Sequence, residues 1–199
     1  KIEPVDRPDM NRAEGADPVL NAAGMGLVFQ AQGGGKRTLA LDLKSDAGRE
    51  VFDRLVQTAD VVVQNYTAHA VTALGLEYDR LSALKPDLIY CAISGYGATG
   101  DKAAHPAYDV VIQAFTGVMA ANGEADSRPV RIGPAVIDYG TGAQAALAIS
   151  AALFARAQTG QGRRIDVAMS DCALMLMNSS TFGTLSSGAA PRPHGNRDP

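Results

Sequence analysis

No run of this sequence is both long and apolar enough to span a bilayer. The one extended Ala-rich stretch is interrupted by Gln144, Ser150 and Arg156, and the first residues show no signal-peptide pattern. Cysteine is scarce. Cys91 and Cys172 lie far apart, each in an apolar segment, which fits buried, reduced thiols in a cytoplasmic protein rather than a disulfide framework. Histidine is equally sparse: His69, His105 and His194 are scattered without metal-ligand spacing, so loop or surface positions are expected and no metal site. An excess of basic residues is also missing. Lys plus Arg is 18 against 21 for Asp plus Glu, a net charge of −3. That argues against a nucleic-acid surface but leaves room for small anionic ligands held by local Lys or Arg.

What remains is a normal globular composition, 46% hydrophobic and 20% charged over 199 residues, enough for one or two domains with a real core. The chain opens on KIEPVDRPDMNRAEG, a strand-like scrap passing into a polar loop, and closes on AAPRPHGNRDP, a Pro/Gly-rich loop. We expect it to be the middle of a longer protein.

Between these ends, strand and helix patterns alternate. RTLALDL (37–43) alternates apolar and polar residues before a helix start at Ser45, and Ala47, Val51 and Leu55 then recur at helical spacing, widened by Phe52 and Val56. Residues 59–63 predict a short buried strand, Tyr78 to Leu84 a helix stopped by Lys85-Pro86, and 88–93 a near-continuous apolar strand. After the Gly-rich SGYGATGDKAAHPAYD come a helix over 110–120, a strand over 163–169 and a helix over 172–185. Apolar strands separated by helices imply an α/β fold, a Rossmann-like doubly wound parallel sheet. The Gly-rich loop then falls at a strand's C-terminal end, where ligands bind in open α/β sheets.

The stretch 131–171 carries the strongest chemical candidate. An apolar run ending at Ile137 meets a single carboxylate, Asp138, followed by Gly140, Thr141 and Gly142 and a long Ala-rich helix that stops at Gly160. Asp138 is expected just before a helix N-terminus, where the dipole and free N–H groups keep a carboxylate ionised. Small neighbours leave room for a bulky substrate. From local pattern alone, an N-capping Asp with a structural role is the commoner outcome.

Other motifs are weaker. AQGGGKRT departs from the Walker pattern at Gln30 and Arg37, although its three glycines with Lys36 and Arg37 suit a phosphate as well as they suit a surface loop. No GxGxxG opens a helix, so a dinucleotide site is unsupported.

Taken in order, Lys36-Arg37 with TLALDLKS, ADVVVQN, LIYCAISGYGATG, HPAYDVVIQAFTGVM, GEADSRPVRIG, the Asp138 turn, RAQTGQGRRIDVAMSD and the GN at Asn196 resemble the class III (family III) CoA-transferases. This family includes formyl-CoA transferase, carnitine CoA-transferase and their relative α-methylacyl-CoA racemase. The resemblance implies a central fragment: 1–199 a partial large domain, 187–199 the start of a linker, with an N-terminal βαβ portion and a C-terminal small domain outside it. It also implies a homodimer of interlocked chains, with acyl-CoA and a carboxylic acid as partners, coenzyme A as substrate, and no tightly bound cofactor, metal, nucleic acid or membrane. Asp138 matches the family's nucleophile. Lys36 and Arg37 match a basic region near the CoA phosphates, and Asn65 and Tyr66 an Asn-aromatic pair beside pantetheine and adenine. The family's two following Arg positions hold Thr67 and Ala73 here. Part of the shield over the intermediates belongs to the absent C-terminal portion, so the fragment alone is expected to be inactive.

Three functions follow from the resemblance: CoA transfer between carboxylic acids through an aspartyl-CoA thioester, racemisation of a 2-methylacyl-CoA, or a non-catalytic partner subunit. Retention of Asp138 opposes the third. Tyr108 separates the first two. The racemases carry a Gly-His-Asp sequence where this chain has Ala107-Tyr108-Asp109, and a tyrosine, ordinarily titrating near ~10, is a poor proton carrier. Tyr108 suits a donor or aromatic wall beside a thioester; the alternative is a residue that staples the helix start. His105 is offset by three residues in a Pro-containing loop, which is expected to point it elsewhere.

Overall fold

A computed structural model of the chain describes residues 1–197. Two compact units, Lys1–Leu55 and Val56–Pro199, are each described by themselves.

In the first unit, β1 (Ile2–Glu3) pairs in parallel with β2 (Leu39–Ala40), Ile2 opposite Leu39. Between them lie a 3-10 turn at Met10–Ala13, α1 (Pro18–Ala22) and α2 (Leu27–Gly33). Asp17 caps α1, its carboxylate accepting from the N–H groups of Val19 and Leu20, and Pro18 provides a helix-ready first residue. The alternation at 37–43 thus yields only two paired residues. Helix α3 (Asp46–Thr58), whose last three residues belong to the second unit, starts one residue after Ser45, whose Oγ accepts from Gly48 N at 3.1 Å. Its buried residues are Gly48, Phe52 and Val56, while Ala47, Val51 and Leu55 are exposed. The apolar face is therefore rotated one residue from the 47/51/55 stripe. Gly48 accounts for this: a Cβ there would lie 1.8 Å from Asp42 O, so the backbone itself packs closely on that side.

The second unit is built on a three-stranded parallel sheet, β3 (Val61–Gln64), β4 (Ile89–Ser94) and β5 (Arg163–Ala168), in that spatial order. Val61 is opposite Ile89, and Ile89 opposite Arg163. β3 and β4 are joined through α4 (Ala68–Leu74) and α5 (Tyr78–Leu84), the latter as predicted. β4 and β5 are joined through α6 (Asp109–Phe115), α7 (Val118–Ala121) and α8 (Val136–Thr159). α9 (Met169–Leu176) and α10 (Asn178–Ser187) follow.

The two faces of β4 meet different helices, as a doubly wound sheet requires. Cys91 clusters with Ala145 of α8 and Val167 of β5. Tyr90, on the opposite pleat, donates its hydroxyl to Leu76 O at 2.8 Å and packs on Tyr78, ring centroids 5.7 Å apart.

Two expected helices are each broken in two. The 110–120 helix stops at Thr116 and restarts after Gly117, whose φ of 87° a residue with a Cβ rarely adopts. The 172–185 helix begins earlier, at Met169, and is interrupted at Met177. Gly160, at φ 71°, ends α8 as expected, its N–H donating to Arg156 O. Both cysteines are buried and free, and His69, His105 and His194 are exposed. Among the described residues no helix is long and apolar enough to cross a membrane. Of the expected linker at 187–199, Ser187 still belongs to α10, Gly188 caps it at φ 71°, and residues 198 and 199 lie outside the described residues.

Candidate active site

α8 runs against the strand direction, and its two ends fix where Asp138 lies. At its C-terminal end, Arg156 bonds the carboxylate of Asp60 at 2.8 Å and the carbonyl of Asp87 at 3.3 Å. These residues precede β3 and β4, at the sheet's amino edge. At its N-terminal end, Ile137 packs with Ile112, Val118, Met169 and Ala173, and Met169 immediately follows β5. The start of α8 therefore lies at the carboxyl edge of the parallel sheet, where α/β proteins place ligands. Ile137, Thr141, Ala145 and Ala152 form its buried stripe; the small residues let the helix approach the sheet closely.

The structure corrects the local reading of Asp138. The helix begins at Val136 after Ala135, so Asp138 is inside the first turn rather than before it, and it is not the cap. The reason is a residue that sequence reading passed over. Asp109, the first residue of α6, accepts on Oδ2 the N–H groups of Ile137 at 2.7 Å and of Asp138 at 3.2 Å. A carboxylate from another helix supplies what a local cap would. With those N–H groups occupied, the helix end does not lower the Asp138 pKa as expected. Its pKa is raised above the ordinary Asp value, first by burial among neighbouring atoms and then by the charge of Asp109. The side chain is nonetheless exposed, so its desolvation is partial. Among the described residues nothing hydrogen-bonds the Asp138 carboxylate, which leaves both oxygens available. Small residues flank it: Gly140 and Gly142 are on the same helix, and a Cβ at 142 would meet nothing within 4 Å.

Tyr108 is the N-cap residue of α6, next to Asp109, and is 73% exposed, so it does not staple the helix. The Gly-rich loop before it is tied down at its start. Ser94 Oγ accepts from Gly97 N at 2.9 Å, and Asp166 of β5 accepts from Ala98 N at 3.0 Å. Gly95 lies so close to Ala107 that a Cβ would come within 2.4 Å of the alanine methyl. Tyr96 sets its ring edge-on to Phe115 at 5.1 Å and to His105 at 6.3 Å, which accounts for His105 as an aromatic contact in this loop.

Asn65 and Tyr66 follow β3 at the same carboxyl edge and are both exposed; Gln64 Oε1 accepts from Tyr66 N at 2.7 Å, shaping the turn. Thr67, at one of the family's Arg positions, caps α4 through a long contact, Oγ1 to Ala70 N at 3.4 Å. Ala73, at the other, is an exposed residue of α4. Lys36 and Arg37 belong to the first unit and are exposed. Lys36 Nζ donates to Gln32 O and lines an open groove of about 430 Å³ with Arg12, Phe29, Gly33 and Thr38. Arg12 was not legible in the sequence. Its guanidinium lies 3.8 Å from the Phe29 ring centroid and forms two 2.9 Å bonds to Glu3. Among the described residues no group of three or more His, Cys, Asp or Glu is placed to hold a metal ion.

An exposed, unpartnered carboxylate at the edge of a parallel sheet can act as a nucleophile toward an activated acyl group. The chain is 38% identical to succinate–glutarate CoA-transferase of Agrobacterium fabrum over 202 aligned residues, covering 100% of this chain and 50% of that one. It is 36% identical to acetyl-CoA:oxalate CoA-transferase of Acetobacter aceti, again covering 100% of this chain and 50% of the relative. Among solved structures, a CAIB/BAIF family protein from Brucella suis superposes with a TM-score of 0.90 at 37% identity, covering 100% of this chain and 52% of that one. The chain thus spans about half the length of these relatives. A family model described as CoA-transferase family III matches residues 1–199, and the chain belongs to that family.

Proposed function

We propose that the full-length protein moves coenzyme A between carboxylic acids, with Asp138 as the nucleophile. The carboxylate attacks the acyl carbonyl of an acyl-CoA, the C–S bond breaks, and CoA leaves as thiolate while an aspartyl–acyl anhydride forms. The thiolate attacks the Asp138 carbonyl, freeing the donor carboxylate and leaving an aspartyl-CoA thioester. An acceptor carboxylate repeats the sequence in reverse and regenerates Asp138. Covalent catalysis divides one difficult exchange into easier steps, and positioning supplies much of the help a weak carboxylate nucleophile needs.

The observation that carries this reading is the exposed Asp138 carboxylate at the sheet's carboxyl edge, free of hydrogen bonds among the described residues while Asp109 occupies the helix N–H groups. Tyr108 serves as a donor or wall beside the thioester. Asn65 and Tyr66 contact the pantetheine and adenine portion, and Lys36 and Arg37 attract the CoA phosphates. CoA enters and leaves as substrate, with no tightly bound cofactor. The chain is the partial large domain, the residues from Ala189 onward begin the linker toward a smaller one, and the working unit is an interlocked homodimer in the cytoplasm. The names of the two relatives give succinate, glutarate, acetyl-CoA and oxalate, so succinyl, glutaryl, acetyl and oxalyl thioesters form the first substrate panel.

The test incubates the full-length protein with that panel and hydroxylamine, then maps the adduct by mass spectrometry. A hydroxamate on Asp138, formed only with productive acyl-CoAs, is expected. CoA exchange without modification of Asp138 overturns the mechanism.

A further inference from the structure

A carboxylate in the first turn of a helix ordinarily bends back to its own N–H groups. That bond depresses its pKa and occupies the lone pairs a nucleophile needs. Asp138 sits in such a turn, yet the acceptor for Ile137 N and Asp138 N is Asp109 Oδ2, at 2.7 and 3.2 Å. Asp109 is itself braced. Its Oδ1 accepts from Gln113 Nε2, one turn along α6, and Gln113 Oε1 accepts from Ile132 N at 2.8 Å. Gln113 is 1% exposed, so this brace is part of the core. A continuous chain of bonds runs from Ile132 through Gln113 and Asp109 to the backbone of Asp138.

We infer that Asp109, braced by Gln113, is a positioning residue for CoA transfer: it fills the N-terminus of α8 so that the Asp138 carboxylate is left free to meet the acyl carbonyl. This rests on the reading of Asp138 as the nucleophile. The direction of the Asp138 pKa agrees. The titratable or charged groups on the elements around it are Asp109 of α6, Asp171 and Cys172 of α9, Tyr139 of α8, Arg131 before α8, and Lys102, His105 and Tyr108 of the Gly-rich loop. Of these, Asp109 is the one whose charge acts on Asp138, and it acts upward.

The experiment compares full-length wild type with Asp109→Asn, which keeps the shape and an accepting oxygen but removes the charge. The expected result is a kcat lowered on the order of 10²-fold, typical of a misplaced reacting group, with KM for acyl-CoA unchanged. The acid limb of kcat/KM should move to lower pH, because the charge that raises the nucleophile's pKa is gone. A purely structural cap would cost stability but leave kcat of the folded variant at the wild-type value. Wild-type kcat and an unmoved limb in Asp109→Asn, with Asp138 still trapped by hydroxylamine in wild type, overturn the positioning role and leave the nucleophile standing. No adduct on Asp138 in wild type overturns the nucleophile and this inference with it. Should Asp109→Asn fail to fold, Gln113→Leu decides: it removes the brace and keeps both carboxylates, and an unchanged kcat in that folded variant overturns the proposal.

Discussion

Gly140 of α8 lies directly against the buried thiol of Cys172 on α9: a Cβ at position 140 would come within 2.8 Å of Cys172 Sγ and 3.5 Å of Leu176 Cδ1. Two positions beyond Asp138, the helix start and α9 are thus in contact through a missing side chain. Gly140→Ala gains about 1 kcal/mol of helix propensity, but overpacking a filled core costs about 1–3 kcal/mol. We expect a net loss of about 1 kcal/mol and reduced turnover as the helix start is pushed away. Adding Cys172→Ala should restore the stability. Denaturant unfolding of the full-length variants measures both, and a stabilised Gly140→Ala would contradict the contact.

Asp138 makes no cap, so its removal should separate activity from stability. Asp138→Ala is expected to abolish CoA transfer, a loss of many orders of magnitude for a covalent nucleophile, while CoA binding and folding persist. Asp138→Asn carries a pH signature. A carboxyl whose pKa is raised by folding binds its proton more tightly in the native state, so wild type loses stability as pH rises through the window between its unfolded and folded pKa. Asp138→Asn should therefore be the more stable protein at pH 7. The difference should vanish below the ordinary Asp value of 3.8, where both states of wild type are protonated. Paired melting curves at pH 7 and pH 3 read this directly; solvent exposure keeps the effect small.

Tyr108 is 73% exposed, so its replacement should cost less than about 0.5 kcal/mol of stability. Tyr108→Phe and Tyr108→Ala should both fold normally and lower kcat, the latter more. With a 2-methylacyl-CoA in deuterated water, neither wild type nor these variants should take up deuterium at the α-carbon. Steady uptake, lost in both Asp138→Ala and His105→Ala, would identify a racemase.

Glu3 in the first unit is almost fully buried and meets Arg12 through two 2.9 Å bonds. The Arg12 guanidinium is the main reason its carboxyl is lowered from 4.5 to about 2, assisted by the N–H of Asp9 and by Lys1. A depressed carboxyl contributes stability that is present above pH 4.5 and lost as pH falls toward about 2. Arg12→Ala should destabilise the protein by about 2 kcal/mol at pH 7, below the ~3–5 kcal/mol of a fully buried broken pair. The loss should shrink on acidification; a cost independent of pH would mean that Arg12 acts by packing on Phe29 alone.

The strongly patterned segments were legible before any coordinates. The end of the Tyr78–Leu84 helix is marked by Lys85-Pro86, and β4 is a buried strand because it is apolar on both pleats. The Asp138 turn stood out in the sequence, but its geometry did not. Its cap, Asp109, lies 29 residues away in sequence, and no local pattern announces a cap supplied by another helix. The displaced face of α3 has a similar cause: Gly48 is buried because backbone atoms approach it, while hydrophobicity alone selects Val51 and Leu55. Gly117 breaks the expected 110–120 helix, and the apolar run around it hid that break from the sequence pattern.

α8 is 24 residues long and held at both ends, by Arg156 at the sheet's amino edge and by Asp109 at the carboxyl edge. From Arg156 to Asp138 is 18 residues (156 − 138), about 27 Å at ~1.5 Å per residue. Such a rod is a lever: one degree of tilt about the Arg156 anchor sweeps Asp138 through about 0.5 Å, roughly the tolerance of a reacting constellation. The aim of the carboxylate is thus an angular property of the whole helix. Substitutions at Asp60 or Asp87, a sheet's length from the chemistry, should surface in the rate of acyl exchange before they are noticed in a melting curve.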